Sequence, residues 1–537
     1  MNKNTGVDYK LNKNSTINRI KNTMINIFRT KGNIYKKRSS KLFIIHFSLF
    51  IFLFSSCETD VPQASVEARG IWLTRFEYAP INKVHGQDSS KAYIKNVINR
   101  AADANFNMIY FQVRGNGDAY YTPRLEPWGN LITGKLGEDP GWDPLAYALE
   151  LTHARGMELH AWMNTFPAWR GTKDPPLTDP PSPYLTHPEW LVKDKNDKLQ
   201  DLDGHYVTFS PGIPAVHDYI ISVAEDIASR YDIDGLHFDY IRYPDGTARK
   251  DYSHDSISVS LFNSPETNPD ELDWKDWQRQ QLNSFVVKLY NHMRQEHPKL
   301  KISAAVIGSY IKGGWNGYNS VNQDGRRWAE LGKIDFLTPM LYWPLNHAEH
   351  PFLIRSRNWR NNFTFERYVF PGIGSYRYNN TKQSYNPREI MDEIGALRYS
   401  KIKGMVFFDA KSIEDHYEMI AEKYYKYPTK LPKMPWKNLD DLKSAPLITL
   451  EKTDSQFVTF AWTNTNPTHA HRLILYRSET VEIDSNRAEN LYKIFIEDSG
   501  IFKIFYEDLA GKYVSLSFVN AAWMESPLSD CIFINIK

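Results

Sequence analysis

Between residues 69 and 410, eight short apolar runs follow one another, and stretches of helical periodicity separate them. The runs are RGIWLTR (69–75), NMIYFQVRG (107–115), MELHAWMN (157–164), DGLHFDYIR (234–242), KISAAVIGS (301–309), IDFLTPMLYW (334–343), YVFPGIGSY (368–376) and GMVFFDA (404–410). Between them, Ile94, Val97, Ile98 and Ala101 recur at i, i+3, i+4 and i+7, as do Ile220, Val223, Ala224 and Ile227. Pro144 suits a first helical turn and Gly156 the end of the same helix. Strands that are apolar throughout belong to a parallel sheet covered by helices. Eight such units close a (β/α)8 TIM barrel. A doubly wound open sheet is the competing architecture, but no glycine-rich phosphate loop follows the first run.

The barrel is assigned to residues 68–425. Residues 426–440 contain Pro428, Pro432 and Pro435 and read as a linker. Beyond it the periodicity changes to two, in SQFVTFAWTN, RLILYRSE, LYKIFIED, KYVSLSFVNAAW and CIFINIK. Strands at this spacing without helices predict a small all-β sandwich over 441–537. Its run YVSLSFVNAAWMESPLS resembles the last strands of fibronectin type III modules.

Residues 1–57 stand apart as a leader, followed by a tether over 58–67. Lys36, Lys37, Arg38 and Lys41 precede an apolar run from Leu42 to Phe54 that stops at Ser55-Ser56-Cys57. The run is too short for a hydrocarbon core of about 30 Å and suits a signal-peptide core. A cysteine after two small residues resembles a bacterial lipobox, with Cys57 as the lipidated first residue; an ordinary secretion signal is the alternative. Met24 is a possible start. These features predict export across the inner membrane and a lipid anchor, at the periplasmic or surface face of the outer membrane. The leader carries +10 while the whole chain is +2, so the mature part is −8 and does not suggest a nucleic-acid partner. The cysteines are Cys57 and Cys531, so a lipidated Cys57 leaves no intramolecular disulfide.

In a barrel the site lies at the carboxyl ends of the strands. Those ends offer Arg75 and Glu77, Gln112 and Arg114 with Asp118 and Glu126, His160, Trp162 and Asn164, then His237, Asp239 and Arg242. The fifth run leads to a long loop with Trp315, Tyr318 and Asp324. The last three runs end in Tyr342 and Trp343, Tyr376 and Arg377, and Asp409. Alternation puts His237 and Asp239 on the inner face of the fourth strand, Asp239 nearer the rim. A buried carboxylate needs partners, so Arg75, Arg114 or Arg242 is expected beside it, holding it ionised. A salt bridge closing the barrel top is the bland alternative, set against charged or aromatic groups at nearly every strand end.

Carboxylates, arginines, an Asn, a His and flat Trp and Tyr rings fit a sugar-binding cleft. Glycoside hydrolysis requires two carboxyls, about 5–5.5 Å apart for retention or about 6.5–9.5 Å for inversion. Asp239 is the expected nucleophile or base. The expected proton donor is Asp324, with Glu77 next and then Glu126 and Asp409. Each competitor has a structural reading: Asp324 as a helix N-cap, Glu77 in an ion pair, Glu126 as a solvated loop charge. Arg75, Arg114, Asp118, Glu126, His160, Trp162, Asn164, His237, Arg242, Tyr342 and Trp343 are the expected substrate contacts. No His-rich cluster supports a metal, and no cofactor is expected.

The stretches RGIWLTR, FQVRGNGDAYY, EPWGNLITG, DPGWDPLAYALELTHARGMELHAWMN, FSPGIPAVHDYI, YDIDGLHFDYIRYP and DFLTPMLYW cover most of residues 68 to about 410. In this order they resemble the glycosyl hydrolase-like 10 barrels, bacterial envelope proteins often made as lipoproteins. The resemblance implies a (β/α)8 barrel acting on glycans, peptidoglycan strands among them, with an acid at the end of strand four that maps onto Asp239. The expected function is therefore a lipid-anchored glycoside hydrolase with a glycan substrate. The alternatives are a non-catalytic glycan-binding envelope protein and a metal-dependent deacetylase or amidase.

Overall fold

A computed structural model of the chain describes residues 61–245, 251–362, 365–378, 386, 388–465, 471–497 and 500–536. The leader and Cys57 lie outside the described residues. The parallel sheet runs through β1 (Ala68–Leu73), β2 (Met108–Arg114), β3 (Glu158–Asn164), β4 (Gly235–Asp239), β5 (Lys301–Ile307) and β6 (Phe336–Leu341). It continues through a split β7 (Tyr368–Val369 and Gly372–Ile373) to β8 (Gly404–Phe408). β8 pairs in parallel with β1, and β7 pairs with both β6 and β8, so the sheet closes on itself. The split in β7 brackets Pro371, which cannot donate to a ladder. The sixth run also yields a shorter strand than its apolar length suggests, and Tyr342 and Trp343 lie past its end.

Burial explains the apolar runs. All seven residues of β2, β3 and β5 are buried, because helices cover one face and the barrel interior the other. Helix α1 (Arg75–Asp103) kinks at Gly86, where φ is 81°, and buries Ile94, Val97, Ile98 and Ala101. Helix α2 (Pro144–Ala154) begins with Asp143 accepting from the Ala146 N–H, and Gly156 follows it at φ 71°. Helix α3 (Pro214–Arg230) buries Ile220, Val223, Ala224 and Ile227. The helical and strand periodicities therefore identify the faces that pack.

Beyond the barrel stand a three-stranded antiparallel sheet, of Leu447–Thr453, Phe457–Thr463 and Ile501–Phe505, and a four-stranded one. The second holds Leu491–Phe495, Arg472–Ser478, Tyr513–Val519 and Ile532–Phe533. Val458, Phe460, Phe502 and Ile504 of the first meet Leu473, Leu475, Leu516 and Phe518 of the second in one core. The opposite face of the four-stranded sheet is buried too. Ile474, Tyr476, Val519 and Trp523 pack with Met108, Tyr110, Phe336 and Phe370 at the amino ends of the barrel strands.

Polar groups pin this interface. Glu158, at the start of β3, accepts from Trp523 Nε1 at 2.5 Å and from Lys301 Nζ at 2.8 Å. Asp234, just before β4, accepts from Arg472 Nη2 at 2.9 Å, and Asp335, before β6, accepts from Trp436 Nε1 at 2.8 Å. The sandwich thus plugs the bottom of the barrel, and residues 62–537 pack as one compact unit.

Candidate active site

Strand β4 (Gly235–Asp239) supplies two polar side chains to the barrel interior. His237 and Asp239 do share the inner face, at different depths. His237 is buried between Trp72 Nε1 (3.1 Å) and Ser303 Oγ (2.8 Å), and burial holds its imidazole well below the usual pKa, hence neutral. Asp239 is the last residue of the strand and 7 % exposed. The chain then turns through Tyr240 at φ 59°, a left-handed conformation uncommon for tyrosine. That turn lets the Tyr240 N–H donate to Asp239 Oδ1 at 2.6 Å and sets the Arg242 guanidinium 4.2 Å above the Tyr240 ring.

Asp239 opens into a cavity of about 190 Å³ at the carboxyl ends of the strands. Thr74, Arg75 and Phe76 line it from β1, Gln112 from β2, Trp162 and Asn164 from β3, Tyr342 from β6 and Phe408 from β8. Tyr206 reaches in from a two-stranded ribbon of Pro167–Arg170 and Tyr206–Thr208 that follows β3. Phe76, Tyr206, Tyr240 and Arg242 also line an adjoining groove of about 1030 Å³, where Trp315 is 47 % exposed. Tyr342 stacks on Phe408 at 5.5 Å and meets Tyr376 edge-on.

The surroundings of Asp239 differ from the expected cluster of arginines. Burial raises its pKa, while Arg242 and the Tyr240 N–H pull it down less strongly. Two of the three expected arginines are committed elsewhere. Arg114 is wholly buried and clasps Glu126 through Nη2 at 2.7 Å and through Nε, with Nη1 on the Asn164 and Thr165 carbonyls. Arg75 donates from Nη2 to Asn116 Oδ1 (3.2 Å) and the Tyr206 hydroxyl (3.1 Å). Gly115 makes room for it: a Cβ there would stand 2.4 Å from the guanidinium carbon.

The structure also separates the remaining candidates. Asp324 caps the helix Gly325–Glu330 through the Arg327 N–H and accepts from Tyr310 at 2.9 Å, outside the cavity lining. Its capping alternative is the one observed. Glu77 accepts from the Thr74 N–H at 2.5 Å and the Lys411 N–H at 2.7 Å, in a capping box at the start of α1. Burial and the Asp409 charge push its carboxyl up to about 8, yet it too lies outside the cavity lining. Glu126 is buried against Arg114, not solvated.

Asp118 accepts from the Gly115 and Asn116 N–H groups and shapes a turn. His160 lies deeper in the barrel against Glu158, at 3.1 Å. Trp343 stacks on His350 at 4.5 Å, away from the cavity. Arg75, Trp162, Asn164, Asp239, Arg242 and Tyr342 are brought together; Arg114, Asp118, Glu126, His160, His237 and Trp343 support or lie apart.

Among the described residues, Asp239 is the single acid lining the cavity. Asp409 follows the cavity residue Phe408 and caps Ala410–Ile413 through the Ser412 N–H. Burial drives the Tyr342 hydroxyl pKa up, and the charges of Asp239 and Asp409 add to it. The structure also brings together Glu158, Asp234 and His471, whose ligand atoms lie within 4.8 Å of one another, at the bottom of the barrel. Lys301 and Arg472 already neutralise those carboxylates, a poor setting for a cation.

A (β/α)8 barrel with a buried acid, aromatic walls and an open groove at its carboxyl end defines the class of glycoside hydrolase-like barrels. The chain belongs to the glycosyl hydrolase-like 10 family, whose model matches residues 67–385. It is 25 % identical over 396 residues to glycosyl hydrolase YngK of Bacillus subtilis, covering 70 % of this chain and 75 % of that protein. To glycosyl hydrolase DigH of Escherichia coli K12 it is 27 % identical over 329 residues, covering 55 % of this chain and 70 % of that one. Among solved structures it is similar to an α-L-fucosidase of Paenibacillus thiaminolyticus, with a TM-score of 0.47 and 14 % identity. That match covers 67 % of this chain and 49 % of the fucosidase.

Proposed function

We propose that this chain hydrolyses glycosidic bonds within a polysaccharide or a peptidoglycan glycan strand, with Asp239 as proton donor. The observation that carries this reading is the Asp239 carboxyl itself. It is buried on the floor of the cavity, its pKa is raised by burial, and it forms no ion pair among the described residues. A carboxyl whose pKa is raised by burial is fitted to protonate a leaving oxygen. This reverses the base or nucleophile role expected from the arginines. Asp409, just past the end of β8, is the proposed second carboxyl, because its charge and that of Asp239 both act on Tyr342. Trp162 and Tyr342 offer flat faces to a sugar, and the adjoining groove suits a polymer.

The leader supports the further proposal that the protein is exported and held by lipid on Cys57, at the outer membrane. A binding-only reading draws on one observation, that Asp324, Glu77 and Glu126 are all absorbed into structural contacts. Reducing ends released from peptide-free peptidoglycan strands and from a panel of polysaccharides test hydrolysis. Glycan binding without release by the wild-type protein would favour the binding-only reading.

A further inference from the structure

The arginines that fail to pair with Asp239 leave unpartnered guanidinium N–H groups at the cavity. Arg75 is 1 % exposed and forms no ion pair among the described residues. Its Nη2 is held by the neutral oxygens of Asn116 and Tyr206, while Nε and Nη1 have no partner. The Asp118 charge acts on it, but that carboxylate is engaged by the Gly115 and Asn116 N–H groups. Arg242 forms neither a hydrogen bond nor an ion pair among the described residues, and its Nη1 is buried without a partner.

Among the residues lining the cavity, one carboxyl, Asp239, stands with two guanidinium groups. Buried charge is ordinarily paired, and buried N–H groups are ordinarily bonded. Guanidinium N–H groups donate strong, charge-assisted hydrogen bonds to carboxylate oxygens. The Gly115 cradle shows that the Arg75 group is placed by close packing and is not a mobile surface charge.

We infer that Arg75 and Arg242 form an anion subsite in the Asp239 cavity, which takes a carboxylate carried by the sugar next to the scissile bond. This rests on the cavity being the glycosidase site. Two carbohydrate sources supply such a group: the ring carboxylate of a uronic acid and the ether-linked lactyl carboxylate of muramic acid. Both can place one oxygen on the unpartnered Nη1 of Arg75 and the other on the unpartnered Nη1 of Arg242.

The test uses the mature full-length protein with two glycans, peptide-free peptidoglycan strands and an oligouronate. Each is offered intact and with its carboxyls reduced to alcohols. At least one intact glycan is expected to be cut with kcat/KM at least ~10-fold above its reduced form, the glycan identifying the source. That ratio should fall toward one in Arg75→Gln and in Gly115→Ala, which moves the guanidinium without removing it. Arg242→Gln, at the more exposed edge, serves where a buried variant does not fold. Equal rates on intact and reduced glycans, or a ratio untouched by the variants, overturn the subsite and leave the glycosidase reading standing.

If neither glycan is cut, calorimetry with N-acetylmuramate and glucuronate decides the subsite separately. Binding by wild type that is lost in Arg75→Gln or Arg242→Gln upholds it, and no binding overturns it.

Discussion

Asp239 accepts a 2.6 Å hydrogen bond from the backbone N–H of Tyr240, and no cation among the described residues pairs with it. The contact fixes a buried carboxyl at the mouth of the barrel, with Arg242 as the cation that acts on it. Asp239→Asn preserves the shape and removes the proton, so the variant should fold, bind glycan and turn over at least ~10³-fold more slowly. Melting temperature and turnover on the same preparation check this; near-normal turnover would exclude Asp239 as donor. The roles divide further by leaving group. An aryl glycoside whose leaving group needs no protonation should recover turnover in Asp239→Asn, whereas added azide should recover it in Asp409→Asn.

The alkaline side of the pH–rate profile should report Asp239. A proton donor fails once it ionises, and burial has moved that ionisation above the ordinary carboxyl range. Arg242 opposes the shift, so Arg242→Gln should move the alkaline limb to higher pH. A limb that stays in place, or moves down, contradicts the assignment. Stability follows the same sign: with the folded-state pKa raised, the contribution of Asp239 is fully present below its unfolded value and is lost as pH rises through the folded one.

Glu126→Gln should act on folding and not on chemistry. Arg114 and Glu126 are both wholly buried, and removing one partner strands the other charge, at a cost of about 3–5 kcal/mol. Chemical denaturation measures that loss. Turnover per folded molecule should be largely kept, and a loss of turnover without a loss of stability would return Glu126 to the list of catalytic acids.

Much of this was legible in the residues, for reasons that are local. A strand buried on both faces is apolar throughout, so the eight barrel strands could be read, and period-two alternation placed Asp239 on the inner face. Pairing was not legible, because it depends on distant segments. Arg114 finds Glu126 in the next loop, and Arg75 finds Tyr206, 131 positions away. Nothing near Asp324 indicated that Tyr310 would reach it from the same loop, although QDGRRW carried the capping signal. Phe76 and Tyr240 were missed beside residues that were named, since an aromatic next to a charged strand end reads equally well as core. Tyr206 carried no local signal: only the ribbon after β3 delivers it to the site.

The sandwich should prove necessary to the barrel. Arg472 and Asp234 are both wholly buried across the junction, so Arg472→Met removes a charged partner from a carboxylate that His153, His471 and the Leu159 N–H still hold, and should cost about 1.5–3 kcal/mol, with turnover retained in the folded fraction. Truncation after residue 440 would bare Glu158, Asp234 and the apolar face around Met108 and Phe370 together. Such a fragment should be poorly soluble. A stable, active fragment would show that the barrel closes its own lower end.

Cys57→Ser tests the anchor. The apolar run ending at Ser56 predicts processing before Cys57, so the variant should leave the membrane fraction or accumulate unprocessed. Unchanged partition into membranes would exclude lipid on that sulfur.

Gly115 contributes to the site by lacking atoms, since the space its side chain would fill is the space the Arg75 guanidinium occupies. Alanine scanning is designed to subtract, yet at this one position alanine adds. A survey that ranks residues by the functional group they lose would pass over Gly115, while a single extra methyl there displaces an arginine that no substitution at Arg75 itself had touched. Inactivating changes at residue 115 would then look like backbone damage, and their origin would show only when the charge of the substrate is varied.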